Sequence, residues 1–152
     1  MRIQPIYNTL YCKSTYKNNT PLKTINSLSF GYKSVLKKEW IKGHLPSVKK
    51  GIYGGELTKK NITIEHIVPH SKGGKTELSN LALAIDIKNN QRSNKPFKDY
   101  FDPVIFYEYV EQFKDVDLPN LNGLDYIEKV VRVVKRLLKS EGVDISSIPY
   151  FR

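Results

Sequence analysis

Asn61-Ile62-Thr63-Ile64-Glu65-His66-Ile67-Val68-Pro69 decides how this chain is read. β-Branched residues alternate with polar ones until Pro69 removes a backbone donor, so the stretch predicts a strand over 61–68. Ser71-Lys72-Gly73-Gly74-Lys75 then reads as a flexible turn. Leu81, Leu83 and Ile85 alternate as a second short strand, and Asp86 to Asn94 predicts the first turns of a polar helix that stops before Pro96. Strand, loop, strand and helix therefore follow one another in a compact unit. Glu65 and His66 stand together at the end of its first strand, where neighbouring side chains point to opposite faces. One can hold a cation while the other addresses a water from a different angle.

Working outward, Ser34 to Lys42 predicts a short helix with Val35, Leu36, Trp40 and Ile41 on its apolar side, and Gly51, Gly54 and Gly55 mark a loop. After Pro96, Val104 to Lys114 predicts a helix whose core face is Ile105, Phe106, Tyr109, Val110 and Phe113. A link over Asp117–Asn122 leads to a second helix, Gly123 to Ser140. Its residues Leu124, Ile127, Val130, Val131, Val134, Leu137 and Leu138 recur at helical spacing, with Lys129, Arg132, Lys135, Arg136 and Lys139 opposite. Core packing with a solvated basic face is the preferred reading of that helix, and a phosphate-contacting face is the alternative. The expected fold is α+β, in three parts: a basic extension over 1–60, a small core over 61–98, and a helical segment over 99–152 packing on that core. There is no internal repeat and no low-complexity segment.

The chain carries 25 Lys+Arg against 15 Asp+Glu, a formal net charge of +10, and the whole excess lies before Glu65, where Glu39 and Glu56 are the only acids. Clustered cations gain affinity for polyanions by releasing condensed counterions, so nucleic acid is the expected partner. A solvated, solubilising face is the alternative. Lys49, Lys50, Lys59, Lys60, Lys72, Lys75 and Lys95 are the candidate nucleic-acid contacts, with the Lys72–Lys75 loop, beside the strand that ends in Glu65-His66, the best local candidate for steering a phosphate. Tyr7, Tyr11, Tyr16, Tyr32, Trp40 and Tyr53 lie among the lysines, as base-stacking or sugar-contacting residues would, or as core. Residues 1–38 hold no acid and have the composition of an organellar transit segment, yet no apolar segment suggests secretion; an intracellular protein is expected. Apolar runs are too short for a membrane span. The single cysteine, Cys12, excludes an internal disulfide and an all-cysteine zinc finger.

Hydrolysis of a phosphodiester needs a hard cation to neutralise the phosphate, a base to deprotonate water, and groups that hold both in line. Glu65 supplies a carboxylate oxygen suited to Mg2+, with Mn2+ as a substitute, and Asn89 on the following helix adds a neutral amide oxygen; a magnesium site keeps several waters, so two side chains suffice. His66 is the candidate base, since an imidazole is neutral near physiological pH and accepts a proton. Asn80, just before the second strand, is placed to pin the loop by side chain to backbone hydrogen bonds. Arg92 offers a fixed positive fork for a phosphate oxygen. His70 follows His66 by four residues, but Pro69 precludes a helical metal face there, so His70 is read as a loop residue near the phosphate path. His44 and Cys12 have no spacing that supports a zinc site.

Taken in order, Glu65-His66, Asn80, Asn89 and Arg92-Ser93-Asn94 resemble the HNH endonucleases, also called ββα-metal or His-Me finger nucleases. Glu77-Leu78-Ser79-Asn80-Leu81 and Arg92-Ser93-Asn94-Lys95-Pro96-Phe97 are similar in particular to the bacterial non-specific endonuclease I branch. The resemblance covers about Asn61 to Phe97 and implies a ββα-metal core that cleaves DNA, with RNA as the alternative substrate. His66 would be the general base, Asn80 and Arg92 its companions, and Glu65 and Asn89 the metal ligands. Ile85 and Lys88 stand where many members carry a zinc-binding CxxC, so no structural zinc is expected. A DNA-binding protein that keeps the fold without turnover is the alternative function. Dimerisation is left open.

Overall fold

The computed structural model describes residues 35–151. Tyr7, Tyr11, Cys12, Tyr16, Tyr32 and nearly all of the acid-free stretch read for targeting lie outside the described residues. Helix α1 spans 35–41, where Leu36 and Glu39 are buried, and Trp40 Nε1 donates to the Val48 carbonyl at 2.7 Å. Strand β1, Ile62–His66, pairs antiparallel with strand β2, Leu81–Ile85, with Glu65 opposite Ala82 and His66 opposite Leu81. Helix α2, Asp86–Arg92, leaves β2 directly. The architecture is α+β, with the ββα unit at its centre.

A two-stranded sheet exposes backbone groups along both outer edges, and such groups need partners when buried. On the outer edge of β2 those partners come from three separate places. Ile52 N donates to Leu83 O at 2.8 Å, the Tyr109 hydroxyl accepts from Leu83 N at 2.9 Å, and the Tyr126 hydroxyl donates to Leu81 O at 2.7 Å. Tyr109 belongs to helix α3, Pro103–Glu111, and Tyr126 to helix α4, Gly123–Ser140; their hydroxyls lie 3.0 Å apart. Burial pushes the Tyr109 hydroxyl up to about 12 and holds that of Tyr126 well above the ordinary tyrosine range, so both stay protonated as donors.

α3 starts at an Asp102 cap, whose Oδ1 accepts from Val104 N and Ile105 N, and Pro103 takes the first helical position, where a missing N–H is harmless. Asn122 Oδ1 caps α4 in the same way through Asp125 N. Beyond α4, Glu141 accepts from Phe97 N and Lys98 N at 3.0 and 2.7 Å, which ties the helical segment to the end of the ββα unit.

Four expectations are corrected. Ala82 and Ala84 are as fully buried as Leu81 and Leu83, so β2 is covered on both faces; its small residues admit Gly51, where a Cβ would lie 2.9 Å from Ala84 Cα. The Asp117–Asn122 link forms a short hairpin, β3 (Asp117–Leu118) with β4 (Leu121–Asn122). Leu124 is exposed, while Tyr126 and Val133 are buried, which turns the inner stripe of α4 from the expected one. Residues 45–57, assigned from sequence to a basic extension, pack into the core through Leu45, Val48, Ile52, Tyr53 and Leu57. Among the described residues no helix is long and apolar enough to cross a membrane.

Candidate functional site

The loop between β1 and β2 is closed by one side chain. Asn80 Oδ1 accepts from Val68 N at 2.8 Å, and its Nδ2 donates to Val68 O at 3.0 Å and Lys75 O at 2.9 Å, while its backbone carbonyl accepts from Ile67 N at 2.9 Å. Gly74 lies so close to the Val68 carbonyl that any Cβ there would overlap it. Between these clamps the chain makes a 3-10 turn, His70–Lys72, ended by Gly73 at φ 88°. The left-handed conformation at Gly73 favours a residue without a Cβ.

At the end of β1, Glu65 and His66 enter different environments. Glu65 is 4% exposed, and its Oε2 accepts from the Tyr53 hydroxyl and from Arg92 Nη1 at 2.9 Å. Arg92 is 1% exposed; Nη1 also approaches the carbonyls of His66 at 3.2 Å and Ile67 at 2.9 Å, and Nε donates to Lys95 O at 3.1 Å. Its guanidinium carbon lies 5.4 Å from the centre of the buried Phe97 ring. Burial, and then the charge of Glu65, hold the Tyr53 hydroxyl well above its ordinary range, so it remains a donor to the carboxylate. Burial opposes the charge on Arg92, but Tyr53 and Glu65 outweigh it and raise its pKa.

This geometry corrects the role expected for Arg92. Its Nη1 and Nε are engaged by protein oxygens and the side chain is buried, so the guanidinium holds the end of β1 from beneath the surface. Ser93, with φ 49°, ends α2 and lets the chain fold back so that Lys95 O meets Arg92 Nε. In the sequence Tyr53 is one of several aromatics suited to base stacking or to the core, and nothing there links it to Glu65. It lies twelve residues from Glu65 in sequence, beyond the range of any local periodicity.

His66 is half-buried, and its Nε2 lies 3.1 Å from Thr76 Oγ1. The same hydroxyl lies 2.9 Å from Nε2 of His70, and the two imidazole rings are 4.4 Å apart, centre to centre. The proline argument against a shared face is thus overtaken: the turn after Pro69 brings the rings together without a helix. His44 is held elsewhere, 3.4 Å from Glu39.

Asn89 is half-buried on α2, and its Nδ2 donates to Ile64 O at 3.1 Å, one residue before Glu65. That bond commits the nitrogen and leaves Oδ1 as the atom able to ligate. Among the described residues no donor reaches Glu65 Oε1, so a nearly buried carboxylate oxygen is left with one side unsatisfied. A carboxylate oxygen and an amide oxygen suit a hard divalent cation that keeps several waters. No group of three or more His, Cys, Asp or Glu side chains able to hold a metal occurs among the described residues.

The candidate lysines are dispersed. Lys72 and Lys75 are exposed on the loop that carries His70 and Thr76. Lys59 and Lys60 precede β1 at its other end, upward of about 13 Å along the strand from His66. The backbones of Lys49 and Lys50 are pinned by Gln112 Oε1, and Lys50 Nζ pairs with Glu108 at 3.3 Å. Lys95 Nζ lies 3.5 Å from the Tyr100 hydroxyl.

Residues 49–95 match the family model of the HNH endonucleases, which supports placing this ββα unit in the HNH superfamily. The match starts upstream of β1 and includes Tyr53. It implies binding of nucleic acid and supports a nuclease or nucleic-acid-binding function; HNH nucleases generally use divalent metal ions. No curated protein and no solved structure matches the chain.

Proposed function

We propose that the protein is a metal-dependent endonuclease of the HNH type that hydrolyses phosphodiester bonds in DNA, related to the non-specific endonuclease I branch. The observation that carries this reading is the divergence of Glu65 and His66 at the end of β1, beside Asn89. Glu65 would hold Mg2+ through Oε1, and Asn89 through Oδ1, with Mn2+ as a substitute. Bound there, the cation would neutralise the scissile phosphate and the departing oxygen. His66 takes the proton of the attacking water, and Thr76 and the Asn80 clamp fix the loop from which the imidazole is addressed. Arg92 and Tyr53 hold Oε2 and so orient the carboxylate without touching substrate. Lys72 and Lys75 draw the backbone toward the loop.

Supercoiled plasmid incubated with Mg2+ or Mn2+ tests this. Nicking that disappears with EDTA, and falls about 10²–10⁴-fold in a folded His66→Ala variant, is the expected result. DNA bound but uncut by the wild type in either metal would overturn it in favour of a silent binding protein. Parallel digestion of matched RNA decides the substrate.

A further inference from the structure

We propose that His66 and His70 form a second cation site, for an exchangeable ion of the Zn2+, Ni2+ or Cu2+ class, separate from the oxygen ligands of Glu65 and Asn89. Both Nε2 atoms converge on one point, the Thr76 hydroxyl, at 3.1 and 2.9 Å. A hydroxyl has a single proton, so it can donate to only one of them; at least one of the two nitrogens must carry its own proton for both contacts to be hydrogen bonds. In the tautomer that carries its proton on Nδ1, each neutral imidazole turns its Nε2 lone pair toward that same place. Zinc–nitrogen bonds are 2.0–2.1 Å long, shorter than either contact, so the cation would seat between the two nitrogens and beside the Thr76 oxygen, with the His70 ring turning to meet it. The rings are already 4.4 Å apart and inclined at 48°, and His70 is exposed on its 3-10 turn, so a small rotation of the His70 side chain supplies that movement.

Donor chemistry separates this site from the other. Imidazole suits zinc, nickel and copper, while carboxylate and amide oxygens suit magnesium. Two imidazoles leave coordination positions to water, so the ion exchanges and holds no fold together. Lys72 and Lys75 on the same loop oppose a cation and limit its affinity. A cation on Nε2 of His66 occupies that nitrogen and holds the ring, so occupancy inhibits cleavage; this consequence, unlike binding itself, rests on the proposed function.

The full chain is titrated calorimetrically with Zn2+ in buffer holding excess Mg2+, and with Co2+ by visible absorption. One ion per chain is expected, with affinity at least tenfold weaker in His70→Gln and unchanged in His44→Gln and Cys12→Ser. An unchanged thermal midpoint for His70→Gln, whose side chain is exposed, excludes misfolding. Absence of binding, or equal affinity in wild type and His70→Gln, overturns the site. In plasmid cleavage, Zn2+ is expected to stop the wild type at concentrations that leave His70→Gln active; equal sensitivity of the two overturns the inhibitory role. A wild type that cuts nothing in Mg2+ or Mn2+ defeats the nuclease reading, and the titration alone then decides the site.

Discussion

Glu65 and His66 are consecutive residues of one strand, yet one ends in a buried, charge-paired hub and the other on an adaptable loop. Around Glu65 the partners are Tyr53 and Arg92, both buried, and the guanidinium also gathers the carbonyls of His66 and Ile67. Around His66 the partners are Thr76 and, through it, the exposed His70. The alternation of a strand sends the two side chains apart, and the surroundings then give one a fixed orientation and the other access to solvent. The hub is rigid because every departure strands a buried charge. The loop is held by its clamp, and His70 stands exposed on it.

Breaking the hub has the larger expected consequence. Arg92→Met leaves the Glu65 carboxylate buried without its counter-charge, which costs about 3–5 kcal/mol of stability in urea unfolding. Adding Glu65→Gln in the same chain removes the orphaned charge and recovers part of that loss; a double variant as unstable as the sum of the singles would show that the two are not coupled. Breaking the loop clamp comes next. Asn80→Ala strands the Val68 amide and two carbonyls and is expected to lower stability by about 2–4 kcal/mol. It should also reduce cleavage beyond what the fraction of folded protein explains, as circular dichroism and plasmid nicking on the same samples would measure.

Tyr53→Phe sharpens the contrast by keeping the ring and removing one donor to Oε2. Metal affinity, followed by Mn2+ binding, is expected to fall about 10–100-fold while duplex binding without metal is unchanged. An unaltered Mn2+ affinity would reduce Tyr53 to core packing. The smallest effect belongs to the loop surface: Lys72→Ala and Lys75→Ala should each lower the salt dependence of DNA binding by about one phosphate contact, without altering unfolding.

Much of the site was legible in the order of residues. β1, β2 and α2 follow from local alternation, a polar helical start and the stops at Pro69 and Pro96, and the place of Asn80 before β2 suits it to pin the loop, where the structure gives it three side-chain hydrogen bonds. Arg92 shows where such reading stops. Its type and position are plain in the sequence, but whether a guanidinium faces a phosphate or a buried carboxylate depends on what covers it, and that cover includes Tyr53 and Phe97.

Local pattern encodes the ββα order, the Glu65-His66 pair and the candidate chemistry, because alternation, turn residues and proline stops act over a few residues. Packing of distant segments places residues 45–57 in the core, brings Tyr53 and Arg92 to one oxygen of Glu65, and sets His70 against His66. These contacts arise when separate segments meet in a packed interior, where burying a charge or closing a loop selects partners that no local spacing encodes.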